Sequence, residues 1–139
     1  MQNIVLDTNV IVSSFISPKG LPAKVLGIVL SDEMTSICYN EKILEEYAEV
    51  LTREKFEKYN FDKNRIIEII SDIAELGVLI NPVTSSVSMP DEKDRIFYDT
   101  AKDGNAILVT GNKKHYPEEP FIVDPAEYIK YLQSRGITQ

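Results

Sequence analysis

The chain has 139 residues, 43% of them apolar and 27% charged, with 22 acidic residues against 15 basic ones and a formal net charge of −7. Such a length carries one domain with a proper core, so residues 1–139 are expected to form a single domain. The acidic surplus argues against nucleic-acid binding by the whole surface, though not against a local, cation-mediated approach to phosphate. No apolar run approaches the roughly 20 residues of a membrane span, and no signal-peptide pattern opens the chain. The single cysteine, Cys38, cannot make an internal disulfide, which fits a reducing cytoplasm.

Ile4, Val5 and Leu6 form a short continuous apolar run that stops at Asp7, the pattern of a strand buried on both faces of a parallel sheet. Residues 10–16 read as a short helix closed by Ser17, Pro18, Lys19 and Gly20. A second helix is expected over 21–30, with Pro22 tolerated in its first turn. Residues 34–39 read as the second strand. Asn40 can cap a helix over 41–52, and the charged residues 53–59 continue as a bent helical turn. The next helix starts at Asp62 or Asn64, carries Ile66, Ile67, Ile69, Ile70, Ile73, Ala74 and Leu76, and is expected to stop at Gly77. Residues 78–80 make a third strand, closed by Asn81 and Pro82, and residues 84–89 have no firm assignment. The run from Pro90 to Asp94 starts a helix that reaches Asp103 before Gly104. Residues 106–109 and 121–123 are the remaining strands, and Asp124 and Pro125 open a last helix ending near Arg135 and Gly136. Strands alternating with helices imply an α/β fold: three layers, α/β/α, around a mostly parallel sheet of four to five strands.

In open α/β sheets ligands bind beyond the carboxyl ends of the strands, which makes Asp7 a candidate site residue. The competing reading is that Asp7 only caps the helix that follows it. Asp94 opens the helix before the fourth strand, and Thr110 and Asn112 follow that strand. If the first and fourth strands are neighbours, all of these face one crevice. On the helix over 41–52, Ile43, Leu44, Tyr47, Val50 and Leu51 share an apolar arc, and Glu46 lies about 40° from Val50 at its border. Glu45 and Glu49 fall further round, so Glu46 is the glutamate able to lean toward the crevice. Gathered carboxylates repel one another, and a divalent cation removes that penalty. Hard oxygen donors suit Mg²⁺ or Mn²⁺, whereas one His and one Cys are too few for a zinc cage. A cation held by Asp7, Glu46 and Asp94 could activate water against a phosphodiester. Asp91 is expected to cap the helix start, and Asp99, about 140° around the helix from Asp94, to pair with Arg95.

These residues resemble a PIN domain, the small α/β nuclease fold of many bacterial and archaeal toxins of toxin–antitoxin systems. The likeness runs through Leu6-Asp7-Thr8-Asn9-Val10, through Ile43 to Leu51 with Glu46, through Asp91 to Phe97 with Asp94 and then Ala101, and through Leu108-Val109-Thr110-Gly111-Asn112. It implies a Mg²⁺- or Mn²⁺-dependent endoribonuclease with Asp7, Glu46 and Asp94 as catalytic metal ligands, an RNA substrate, an antitoxin partner and a homodimer. The sequence departs from the family where many members carry an aspartate after the Thr-Gly pair, since Asn112 stands there. Three residues on, where some members place an acid, is His115. Asn9 and Thr110 are expected to orient Asp7 by hydrogen bonds. Lys113, Lys114 and His115 form a local basic patch that could meet a phosphate backbone. Two other readings stand beside this one. The first is a PIN-fold module that binds RNA or protein without catalysis; the second is a phosphoryl-transfer protein with Asp7 as nucleophile, which lacks the usual second acid beside the first.

Overall fold

In the computed structural model, which describes residues 2–136, the apolar run after the N-terminus is strand β1 (Gln2–Leu6), and its last three residues are fully buried. Helices α1 (Thr8–Ile16) and α2 (Leu21–Ser31) lead to β2 (Thr35–Tyr39). Asn40 then caps α3 (Glu41–Leu51), accepting from the Ile43 amide at 3.0 Å. A 3₁₀ turn (Glu54–Tyr59), α4 (Lys63–Leu76) and a two-residue β3 (Val78–Leu79) follow. A second 3₁₀ turn (Glu92–Asp94) runs into α5 (Arg95–Asp103), then β4 (Ile107–Val109), a third 3₁₀ turn (Lys113–His115), β5 (Ile122–Val123) and α6 (Pro125–Ser134). Met1 and the final three positions lie outside the described residues.

The five strands are all parallel, in the order β3-β2-β1-β4-β5. Helices pack on this sheet as outer layers; α2 and α4 lie against β2, and α5 lies against β1, β2 and β4. The expected three-layer α/β/α fold is therefore the observed one. β1 is the middle strand, and Ile4, Val5, Leu6, Leu108 and Val109 are sealed in the core with Ile11, Ile43, Tyr47, Phe97 and Tyr98. The chain winds outward from β1 through β2 to β3, then returns to place β4 on the opposite side of β1. That reversal is where doubly wound sheets open a binding crevice.

Gly77 ends α4 as expected, in an extended conformation with φ −86° and ψ 178°. A glycine is needed there because a Cβ would lie 2.5 Å from the carbonyl oxygens of both Ile37 and Ile73. Residues 84–89 form an irregular strap held against α5, with the Val83 amide on Asp103 at 2.8 Å and the Ser85 amide on Asp99 at 3.0 Å. The expected Asp99–Arg95 pair is not formed. Arg95 reaches back to Glu92 at 2.6 Å and to the Ser85 carbonyl at 2.9 Å, while Asp99, 3% exposed, serves the strap. The (i, i+3) partner and the neighbouring backbone outcompete the (i, i+4) one.

Candidate active site at the sheet switch point

Because Leu6 pairs with Val109 across the β1–β4 ladder, Asp7 and Thr110 emerge side by side at the carboxyl ends of their strands. The Asp7 amide completes the ladder on the Val109 carbonyl at 3.0 Å, and its own carbonyl accepts from Val10. Asp7 thus occupies the N-cap position of α1, yet its side chain makes no capping hydrogen bond. The carboxylate turns instead to the crevice. Its Oδ2 accepts from Thr110 Oγ1 at 2.8 Å and from the Tyr116 phenol at 2.9 Å, with Asn9 Nδ2 at 3.4 Å. Asn9 also bridges the strand tips, accepting from the Gly111 amide at 2.8 Å. Burial raises the pKa of Asp7, and the hydroxyls of Thr110 and Tyr116, helped by the nearby amides of Thr8 and Asn9, pull it back only in part.

Asp94 closes the second 3₁₀ turn and enters α5 without capping it, whereas Asp91 caps the turn through the Lys93 amide at 3.0 Å. Its Oδ2 is buried and has no hydrogen-bond partner. His115 Nδ1 lies 3.5 Å from it. Burial first, then the charges of Asp7 and Asp91, lift Asp94 to a pKa of about 6; His115 opposes the rise and Glu46 adds to it. Glu46 is half-buried on α3 between exposed Glu45 and Glu49, as its place on the helix border implied. Asp7, Glu46 and Asp94 therefore sit in one electrostatic neighbourhood. Among the described residues, however, no three His, Cys, Asp or Glu side chains form a group that could hold a metal ion.

Asn112 and His115 meet each other, Asn112 Nδ2 to His115 Nε2 at 2.9 Å. With His115 Nδ1 facing Asp94, the ring links the amide that replaces the family's acid to the third acidic position. Lys113 is drawn away toward α6, where Glu127 holds it at 3.0 Å, while Lys114 is exposed. Beside Glu46 opens a cleft of about 620 Å³ between α3 and α5, lined also by Lys42, Arg53, Lys93, Arg95 and Asp99. Arg53 is paired with Glu49 there at 2.8 Å.

Two tyrosines belong to this site without having been singled out from the sequence. Tyr116 holds Asp7 directly, and Tyr47, fully buried on α3, donates to the Leu6 carbonyl at 2.5 Å, one residue before Asp7. The available signal for Tyr47 was its polar tip on an otherwise apolar arc, since a buried phenol needs a partner. Tyr116 gave none, because a 3₁₀ turn folds it back under the crevice and no helical or strand period marks that return.

A family model described as PIN domain matches residues 3–114 of the chain. An uncharacterised protein of Methanocaldococcus jannaschii is 34% identical over 110 residues, a stretch that covers 79% of this chain and 70% of that protein. Among solved structures, VapBC2 from Rickettsia felis, bound to a DNA fragment from its promoter, aligns with a TM-score of 0.51 and 15% identity over 88% of this chain and 97% of that one. At that identity the likeness speaks for the fold alone.

Proposed function

The chain belongs to the PIN-domain family, and on that premise we propose that it is a metal-dependent endoribonuclease acting as the toxin of a toxin–antitoxin pair. The observation that carries this reading is the pairing of two poorly solvated acids at the β1–β4 switch point. Asp94 Oδ2 is buried and accepts no hydrogen bond, with His115 Nδ1 standing off at 3.5 Å, and burial raises the pKa of both Asp7 and Asp94. A buried carboxylate oxygen without a partner is costly, and a hard divalent cation is the ligand that compensates it. The donor set fits Mg²⁺ or Mn²⁺, with Asp7 and Asp94 as principal holders and Glu46 as the third. Such an ion, when bound, neutralises phosphate charge and supplies an activated water.

The chain's own residues would do the rest. Thr110 and Tyr116 fix the Asp7 carboxylate, and Asn9 ties the two strand tips together. Asn112 offers an uncharged oxygen where many family members carry an acid. An RNA backbone crossing the cleft beside Glu46 would meet Lys42 and Lys93. An antitoxin partner and a homodimer are what the family resemblance implies.

A second reading, a PIN-fold module that binds RNA or protein without cutting, is favoured by the missing fourth acid and by the lack, among the described residues, of a ready three-ligand group. Cleavage assays on RNA with Mn²⁺ separate the two. Asp7→Asn should keep its fold and lose activity by more than about a hundredfold, since even removing an outer-shell partner of a metal ligand costs 10–100-fold. Equal turnover by variant and parent would sink the assignment. No Mn²⁺ uptake in a calorimetric titration of the parent would favour the binding module.

A further inference from the structure

Both short hydrogen bonds on Asp7 Oδ2 are donated to it. Thr110 Oγ1 accepts from the Asn112 amide at 3.0 Å, so its own proton is left for the carboxylate. The Tyr116 phenol is 4% exposed and stands 2.9 Å from Oδ2, and a phenol beside a carboxylate oxygen, which can only accept, is the donor. A carboxylate oxygen presents about two good lone-pair directions. Thr110 and Tyr116 occupy both on Oδ2, with Asn9 Nδ2 further off at 3.4 Å. Acceptor capacity for a cation therefore remains on Oδ1. Packing alone does not call for the phenol, because a phenylalanine would fill the same space without a hydroxyl to desolvate.

We propose that Tyr116 is a positioning residue for Asp7: together with Thr110 it saturates Oδ2, fixes the plane of the carboxylate, and leaves Asp7 to bind a divalent cation through Oδ1 alone. This rests on the reading of Asp7 as a metal ligand. Tyr116 touches neither ion nor substrate in this role; it acts through the aspartate.

The test uses the full chain and the Tyr116→Phe variant, with two readouts. In metal-free protein labelled with ¹³C at aspartate carboxyl carbons, the Asp7 resonance is the one lost in Asp7→Asn. It should move in Tyr116→Phe while the other aspartate resonances hold their places. In a Mn²⁺ titration, Tyr116→Phe should bind about 10- to 100-fold more weakly, the usual effect of removing an outer-shell partner of a ligand. Circular dichroism of the metal-free variant should show it folded, so the weaker Mn²⁺ titration reads the aim of the carboxylate and not unfolding. An unmoved Asp7 resonance overturns the proposal, as does an unchanged Mn²⁺ affinity in the folded variant. A parent that takes up no Mn²⁺ overturns the metal reading and the proposal with it, whereas parent uptake with unchanged variant affinity overturns the proposal alone. If Tyr116→Phe does not fold, 3-fluorotyrosine placed at position 116 serves instead. Its more acidic phenol donates more strongly and should shift the Asp7 resonance, and no shift overturns the proposal.

Discussion

Asp94 is the residue at which burial has its clearest measurable consequence. Its folded pKa of about 6 lies above the ordinary aspartate value of 3.8. A raised acid favours folding only while it stays protonated. Below about pH 4 folded and unfolded chains both hold the proton, and no penalty arises. As pH rises from there through about 6, the unfolded chain releases the proton more readily, and the metal-free protein loses stability. Asp94→Asn cannot ionise, so in EDTA its melting temperature should exceed the parent's at pH 7.5 and match it near pH 4. Equal melting temperatures at pH 7.5 would mean that Asp94 is not raised. Asp7 and Asp94 could be picked out as candidates from the sequence because a carboxylate at a strand tip or helix entry is conspicuous against its apolar neighbours. Tyr116 could not, since an aromatic residue near a strand reads as core, and the partner that defines it lies 109 residues away. Asp99 was assigned to Arg95 because (i, i+4) spacing is visible in a sequence, whereas a strap crossing the helix is not.

At the level of elements, the site depends on how α3 is seated against β1. Tyr47 makes that connection, its phenol donating to the Leu6 carbonyl at 2.5 Å from the residue next to Glu46. Tyr47→Phe removes the donor from a buried carbonyl and should cost about 1–3 kcal/mol in urea unfolding. A loss near zero would show that another donor replaces it. Asn40 does similar work at the other end of α3. Besides capping the helix, its side chain donates to the Ile80 carbonyl at 3.0 Å and to Thr100 Oγ1 at 2.9 Å, joining α3 to α5 and the end of β3. The helices and strands themselves were readable from the sequence, because apolar periodicity and capping residues act locally. The close approach that demands Gly77 was not, as it is set by β2 and only the packed structure reveals it.

Across the whole molecule, a net charge of −7 sets the conditions under which the proposed RNA substrate would approach. The acids at the switch point repel a phosphate backbone, and the lysines of the neighbouring cleft are outnumbered by acids over the chain as a whole. RNA association should therefore require the divalent ion: gel-shift complexes of the parent protein with a short RNA should form with Mn²⁺ and vanish in EDTA. Complexes that persist unchanged in EDTA would place the RNA-binding surface away from these acids. The sheet order has one further result. Asp7 stands near the start of the chain, while Thr110, which holds it, comes 103 residues later and Tyr116 later still. A ribosome making this protein thus exposes the first acid long before the residues that aim it. Until β4 and the turn after it have been synthesised and folded into place, the nascent chain carries an aspartate without Thr110 or Tyr116 to direct it, and the crevice becomes complete only when those later residues arrive.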